Sequence, residues 1–127
     1  MDNHTNALNW FEIPATDIER AQKFYETILA IKMSPLPLGE LKMVTFPVNP
    51  ESGRVGGALV QHEMYTPVDN GVLIYLNANP GIQTVIDRIE PAGGRLSVPK
   101  TQISPEIGYM CVFIDTEGNR IALHAQN

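Results

Sequence analysis

Cysteine is almost missing from this 127-residue chain: Cys111 stands alone, so no intrachain disulfide can form. A chain of this length needs none, because it buries roughly two-thirds of the surface its unfolded form exposes. In the apolar run YMCVFI, Cys111 reads as a buried, reduced thiol, and the chain as intracellular. Clusters of basic residues are missing too. Nine Lys and Arg stand against fourteen Asp and Glu, scattered along the chain with a net charge of −5. Nucleic acid is therefore not expected as a partner. The longest apolar runs, such as VLIYL and MCVFI, are too short to span a bilayer, and no membrane association is expected. The first ten residues, MDNHTNALNW, have neither the basic nor the apolar region of a signal peptide. No serine sits in a GxSxG turn, Cys111 has no histidine near it in sequence, and neither RVGGA nor AGGR has the spacing of a phosphate loop. These absences describe a cytoplasmic domain spanning 1–127, without a nucleophile.

What is present is a regular succession of elements. LNWFEI reads as a strand, and PATD turns the chain so that Asp17 or Thr16 can cap a helix. In DIERAQKFYETIL, Ile18, Ala21, Phe24, Tyr25, Ile28 and Leu29 recur at helical spacing. LKMVTFPV and GGALVQ follow as strands. The second half repeats the order. VLIYLNA is a strand, Ile82, Val85, Ile86 and Ile89 mark a helix face, and Ala-Gly-Gly closes that helix with a left-handed glycine. RLSV, YMCVFI and RIALHA then read as strands, the last two joined by the turn DTEGN.

The repetition has a register. Ile18 and Ile82, Ala21 and Val85, Pro35 and Pro99, and Ala58 and Ala122 all share one offset of 64 residues. The first strands match at 63 instead, Ile13 with Leu76 and Ala15 with Ala78, as one extra residue within NANPG would produce. The implied class is α+β, with two paired βαβββ modules, about 7–63 and 71–126. Each module covers one sheet face with its helix, and the paired open faces form a cup with the helices outside.

NWFEIPATDIERAQKFY, VLIYLNA, AGGRLSVPKT and FIDTEGNRIAL together resemble the vicinal oxygen chelate superfamily, in its glyoxalase-like branch. That superfamily includes glyoxalase I, extradiol dioxygenases and the fosfomycin- and bleomycin-resistance proteins. The resemblance implies a cupped mixed sheet, a small-molecule ligand and a homodimer. In metal-dependent members it implies one ligand on the first and one on the last strand of each module. Those positions are here Trp10, Ala58, Leu73 and Ala122, and none of the four side chains can bind a divalent metal. No metal or other cofactor is therefore expected, and glyoxalase I and dioxygenase chemistry are disfavoured.

Strand alternation adds Glu12, Tyr75 and His124 to the same faces, with His62 nearer the rim. Trp10, Tyr75, Ala58, Leu73 and Ala122 are the candidate ligand-lining residues, and Trp10 and Tyr75 suit an apolar wall. Glu12, on a strand of Trp, Phe and Ile, is the candidate catalytic residue: a general base activated by removal from water, or an acceptor for a ligand. Its structural alternative is a bond to Tyr75, a lysine or the backbone. His124 is a second acid–base candidate, with a plain strand-end histidine as the alternative. Met33, Met43 and Met110 either line an adaptable pocket or fill the core. Three functions remain open: a metal-independent protein with Glu12 chemistry, a ligand-sequestering protein without turnover, and a metalloenzyme using Glu12, His62 and His124 as relocated ligands.

Overall fold

A computed structural model describes residues 1–127. Its elements are β1 (Trp10–Pro14), α1 (Ile18–Leu29), β2 (Ser34–Pro35), β3 (Lys42–Thr45) and β4 (Gly56–Gln61), then β5 (Tyr75–Asn77), α2 (Ile82–Ile89), β6 (Arg95–Ser104), β7 (Gly108–Ile114) and β8 (Arg120–Ala125). The strands form two four-stranded sheets, ordered β1-β4-β3-β2 and β5-β8-β7-β6. In each, the first strand runs parallel to the last, and the remaining neighbours are antiparallel.

The duplication holds in the hydrogen bonding. Glu12 lies opposite Ala58 in the first module, and Tyr75 lies opposite Ala122 in the second. The Ala15 amide donates to Val60 at 2.8 Å, and the Ala78 amide donates to His124 at the same distance. Both pairs carry the two offsets found in the sequence. The helices also begin at equivalent residues, Ile18 and Ile82.

Asp17 is the residue that caps α1, its carboxylate accepting from the Arg20 amide at 3.1 Å. Gly93, at φ +106°, supplies the left-handed residue expected after α2. Three boundaries differ from the sequence reading. β5 is only three residues long because the segment before it runs beside β8 through single bonds, such as Ala122 to the Ile74 carbonyl. β6 continues through Pro99 to Ser104, with register shifts along its pairing with β7. The two-residue β2 has too little pattern to be read from sequence.

One face of each sheet is packed away. Ile13, Val44, Phe46 and Leu59 from the first sheet join Leu76, Cys111, Phe113, Ile121 and Leu123 from the second in one core with α1 and α2. Both halves therefore share a single interior, with Phe24, Tyr25, Phe46 and Phe113 in contact at its centre. Burial pushes the Cys111 thiol up to about 11, which keeps it protonated and unreactive. Neither helix is long and apolar enough to cross a membrane.

The turn between β7 and β8 locks the halves together. The buried Asp115 carboxylate accepts from the Tyr25 hydroxyl at 2.6 Å, from Asn119 Nδ2 at 2.9 Å and from the Glu117 and Asn119 amides at 2.9 Å. Burial, and then the charge of Asp115, push the Tyr25 phenol well above its ordinary range. Asn119 Nδ2 also donates to the Pro14 carbonyl at 2.7 Å. Glu117, its side chain fully enclosed, accepts from the Thr16 and Asp17 amides at 2.9 and 2.8 Å and from Arg20 at 2.8 and 3.0 Å.

Burial alone would raise the Glu117 carboxyl, but the bonds from Arg20, Asp17 and Thr116 outweigh it and leave the carboxyl below the usual range. A carboxyl lowered by folding contributes stability that is present above its unfolded value, about pH 4.3, and lost as pH falls through the folded value. Glu117→Gln should therefore cost about 2 kcal/mol near neutrality, and the gap from the parent should close in acid. Urea unfolding of both proteins between pH 7 and pH 3 checks this; a gap that does not change with pH would reject it.

Candidate functional site

The sheet faces turned away from the core carry the sequence-predicted residues. On the first sheet, Trp10 and Glu12 share their face with Met43, Ala58 and Val60, because Phe11, Ile13 and Leu59 turn inward. Met43, Ala58 and Val60 form a small separate cluster under Leu36, Leu41 and Tyr65. On the second sheet, Tyr75, Ala122 and His124 share a face with Met110 and Val112, because Leu76, Ile121 and Leu123 turn inward. The alternation inferred from sequence is correct for all five of these strand residues: Trp10, Glu12, Tyr75, Ala122 and His124. Leu73 lies before β5, outside any strand.

Glu12 is the best-defined polar group on either face. Its Oε1 accepts from the Tyr65 hydroxyl at 2.7 Å, and its Oε2 accepts from the Trp10 indole N–H at 3.3 Å. The Tyr65 phenol is raised by that bond and by partial burial, so it stays a donor. Two sequence expectations change here. The partner is Tyr65 and not Tyr75, which belongs to the other sheet. Glu12 is also exposed within one chain, where the sequence reading expected it to be withdrawn from water. Tyr65 escaped the sequence reading because it sits in the loop HEMYTP, where no periodicity points to a face. A turn bond from its amide to the His62 carbonyl at 2.9 Å sets its position.

His124 Nε2 lies 2.7 Å from the Ile107 carbonyl. A carbonyl only accepts, so Nε2 is the donor in this bond. His62 Nδ1 accepts from the Met64 amide at 3.2 Å, and its ring meets Tyr65 edge-on. Met33 belongs to the main core, whereas Met43 underlies the first open face. Lys100 lies over the Tyr109 ring, 4.5 Å from its centre.

Within one chain no three His, Cys, Asp or Glu side chains gather into a group that could hold a metal ion. Glu12, His62 and His124 are not brought together within one chain. Between the halves, Leu8, Phe11, Phe46, Ile74, Tyr75 and others line an apolar groove of about 730 Å³. Around the groove and the open faces, Leu8, Trp10, Val72 and Tyr75 are exposed, Val72 by 89%.

Known proteins share this architecture. A glyoxalase/bleomycin resistance protein from Albidiferax ferrireducens superposes with a TM-score of 0.69 at 15% identity, over 96% of this chain and all of that one. The two chains share one fold. A fosfomycin resistance protein from Listeria monocytogenes shares the fold with a TM-score of 0.65 at 14% identity, over 97% of this chain and 92% of that one. Residues 8–49 match the family model for the bleomycin resistance protein-like N-terminal region. A glyoxylase-like domain-containing protein from Didymella fabae is 27% identical over 123 residues, covering 91% of each chain. Within this fold Asp17 caps α1, and DTEGN forms the turn between β7 and β8.

Proposed function

We propose that the protein binds a small organic molecule against the open sheet faces, without the divalent metal of its metal-dependent relatives. Glu12 is the anchoring polar group. The observation that carries this reading is the Trp10–Glu12–Tyr65 arrangement, a carboxylate set in place by two aromatic donors on a face that is otherwise neutral. Ligand sites commonly pair such an apolar wall with a few fixed polar groups. Its two donors hold the carboxylate as an acceptor and favour anchoring over proton abstraction.

Within one chain the two sheets are not hydrogen-bonded to each other, so each open face is half of a cup. A second copy completes it, and two-fold symmetry makes two equivalent cups. The exposed Leu8, Trp10, Val72 and Tyr75 provide apolar area for that contact.

Light scattering and elemental analysis of tag-free protein, dialysed without chelator, test both parts. The expected result is twice the 14.0 kDa chain mass and well under one metal per chain. A monomer at tens of micromolar would reject the shared cup. About one retained metal per chain, lost on His124→Ala, would instead establish a relocated site using Glu12, His62 and His124.

A further inference from the structure

Resting on the cup reading above, we infer that the ligand carries a protonated nitrogen, an ammonium or guanidinium group on an apolar body, and that Glu12 is its counter-ion. Three observations lead there. Glu12 is an exposed carboxylate that enters no ion pair; the one salt bridge of the structure joins Arg20 to Glu117, at the far end of α1's first turn. Its two oxygens offer about four acceptor sites, and Tyr65 and Trp10 fill two. The remaining acceptor sites have no partner within the chain.

The second observation is the neighbourhood. On the open face of the first sheet, the strand residues around Glu12 are Trp10, Met43, Ala58 and Val60, none of them charged. Lys42 is one residue off this alternation and pairs with Gln61 on the opposite face. Arg120 borders a cavity that Glu12 also borders; its Nη2 donates to the Gly71 carbonyl at 3.0 Å and its Nε has no partner, but it makes no ion pair with Glu12. A carboxylate covered by a ligand without a matching charge would lose water and gain nothing; a protonated nitrogen restores both hydrogen bonds and charge.

The third observation is what the donors do. Tyr65 and Trp10 each give one N–H or O–H to the carboxylate, which fixes its plane and holds it as an acceptor before any ligand arrives. A preset acceptor binds a donor without losing side-chain freedom at that moment. The aromatic bodies of the same two residues then flank the apolar part of the ligand.

Trp10 is the chain's single tryptophan, so its fluorescence reports on this site alone. Three probes share one apolar body and differ in charge: cyclohexylmethylamine, cyclohexylmethanol and cyclohexanecarboxylate. Titrated at pH 7 and low salt, with calorimetry alongside, the amine should bind about tenfold tighter than the alcohol and the carboxylate should bind most weakly. Added salt should reduce the amine's advantage. Glu12→Gln should remove the amine's advantage over the alcohol, bringing the two affinities together, and should abolish the salt dependence of amine binding.

Equal affinity for amine and alcohol, or an amine preference that survives Glu12→Gln, overturns the cationic ligand and leaves the cup reading standing. If none of the three probes shifts Trp10 fluorescence or releases heat, the cup reading falls and the cationic ligand falls with it.

Discussion

Asp115→Ala is expected to lower the free energy of unfolding by about 4 kcal/mol, with a fall in melting temperature on the order of 10–15 °C. The carboxylate is 4% exposed and satisfies four donors at once. Without it, the fully buried Tyr25 hydroxyl loses its acceptor inside a core of aromatic rings. The Glu117 and Asn119 amides lose theirs in the turn, and Asn119 is no longer held for its bond to Pro14. Each buried donor left unpaired costs about 1–3 kcal/mol, and water entering the small gap recovers part of the sum. Asp115→Asn retains one carbonyl acceptor and should cost about half as much. Urea denaturation of the three proteins decides the matter, and a loss below about 1 kcal/mol for Asp115→Ala would show that the turn is not a cross-link between halves.

Gly108→Ala should cost about 3 kcal/mol and disturb the second open face. Gly108 adopts φ +104°, a backbone conformation that a side chain strains by about 1–3 kcal/mol. An added Cβ would also stand 2.4 Å from the Ala125 carbonyl oxygen and 2.9 Å from Gln126 Cα. Both neighbours are backbone, so relief means parting the start of β7 from the end of β8. The turn before β7 also presents the Ile107 carbonyl to His124 and the Glu106 carbonyl to Gln126. Thermal unfolding and the His124 ring resonances should therefore change together. A small stability loss with an unaltered His124 signal would mean that the turn moves freely without harm.

The fold was legible because it is written twice. Ile18 and Ile82, or Ala58 and Ala122, mean little singly, but a common offset fixes both helices and both closing strands. Period-two alternation also placed Trp10, Glu12 and His124 on the correct faces, since a strand leaves its side chains no other choice. What escaped was set by tertiary contact. Tyr65 reaches Glu12 from an irregular loop, across 53 residues of sequence. Glu117, inside a turn that reads simply as DTEGN, binds α1 from 97 residues beyond Arg20. No local pattern encodes such distances. Leu73 lies just before β5, where the segment runs beside β8 through single bonds, and it lines the apolar groove with Tyr75.

The reach of Glu117 also bears on descent. Two copies of one ancestral unit start out interchangeable, and each can in principle live alone. Here the later copy supplies the acceptor for Thr16, Asp17 and Arg20 of the earlier one. The first half cut free would keep its own Asp17 cap but strand those donors at the mouth of its helix. The two repeats are thus alike in pattern but unequal in role, the later one supplying an acceptor to the helix of the earlier.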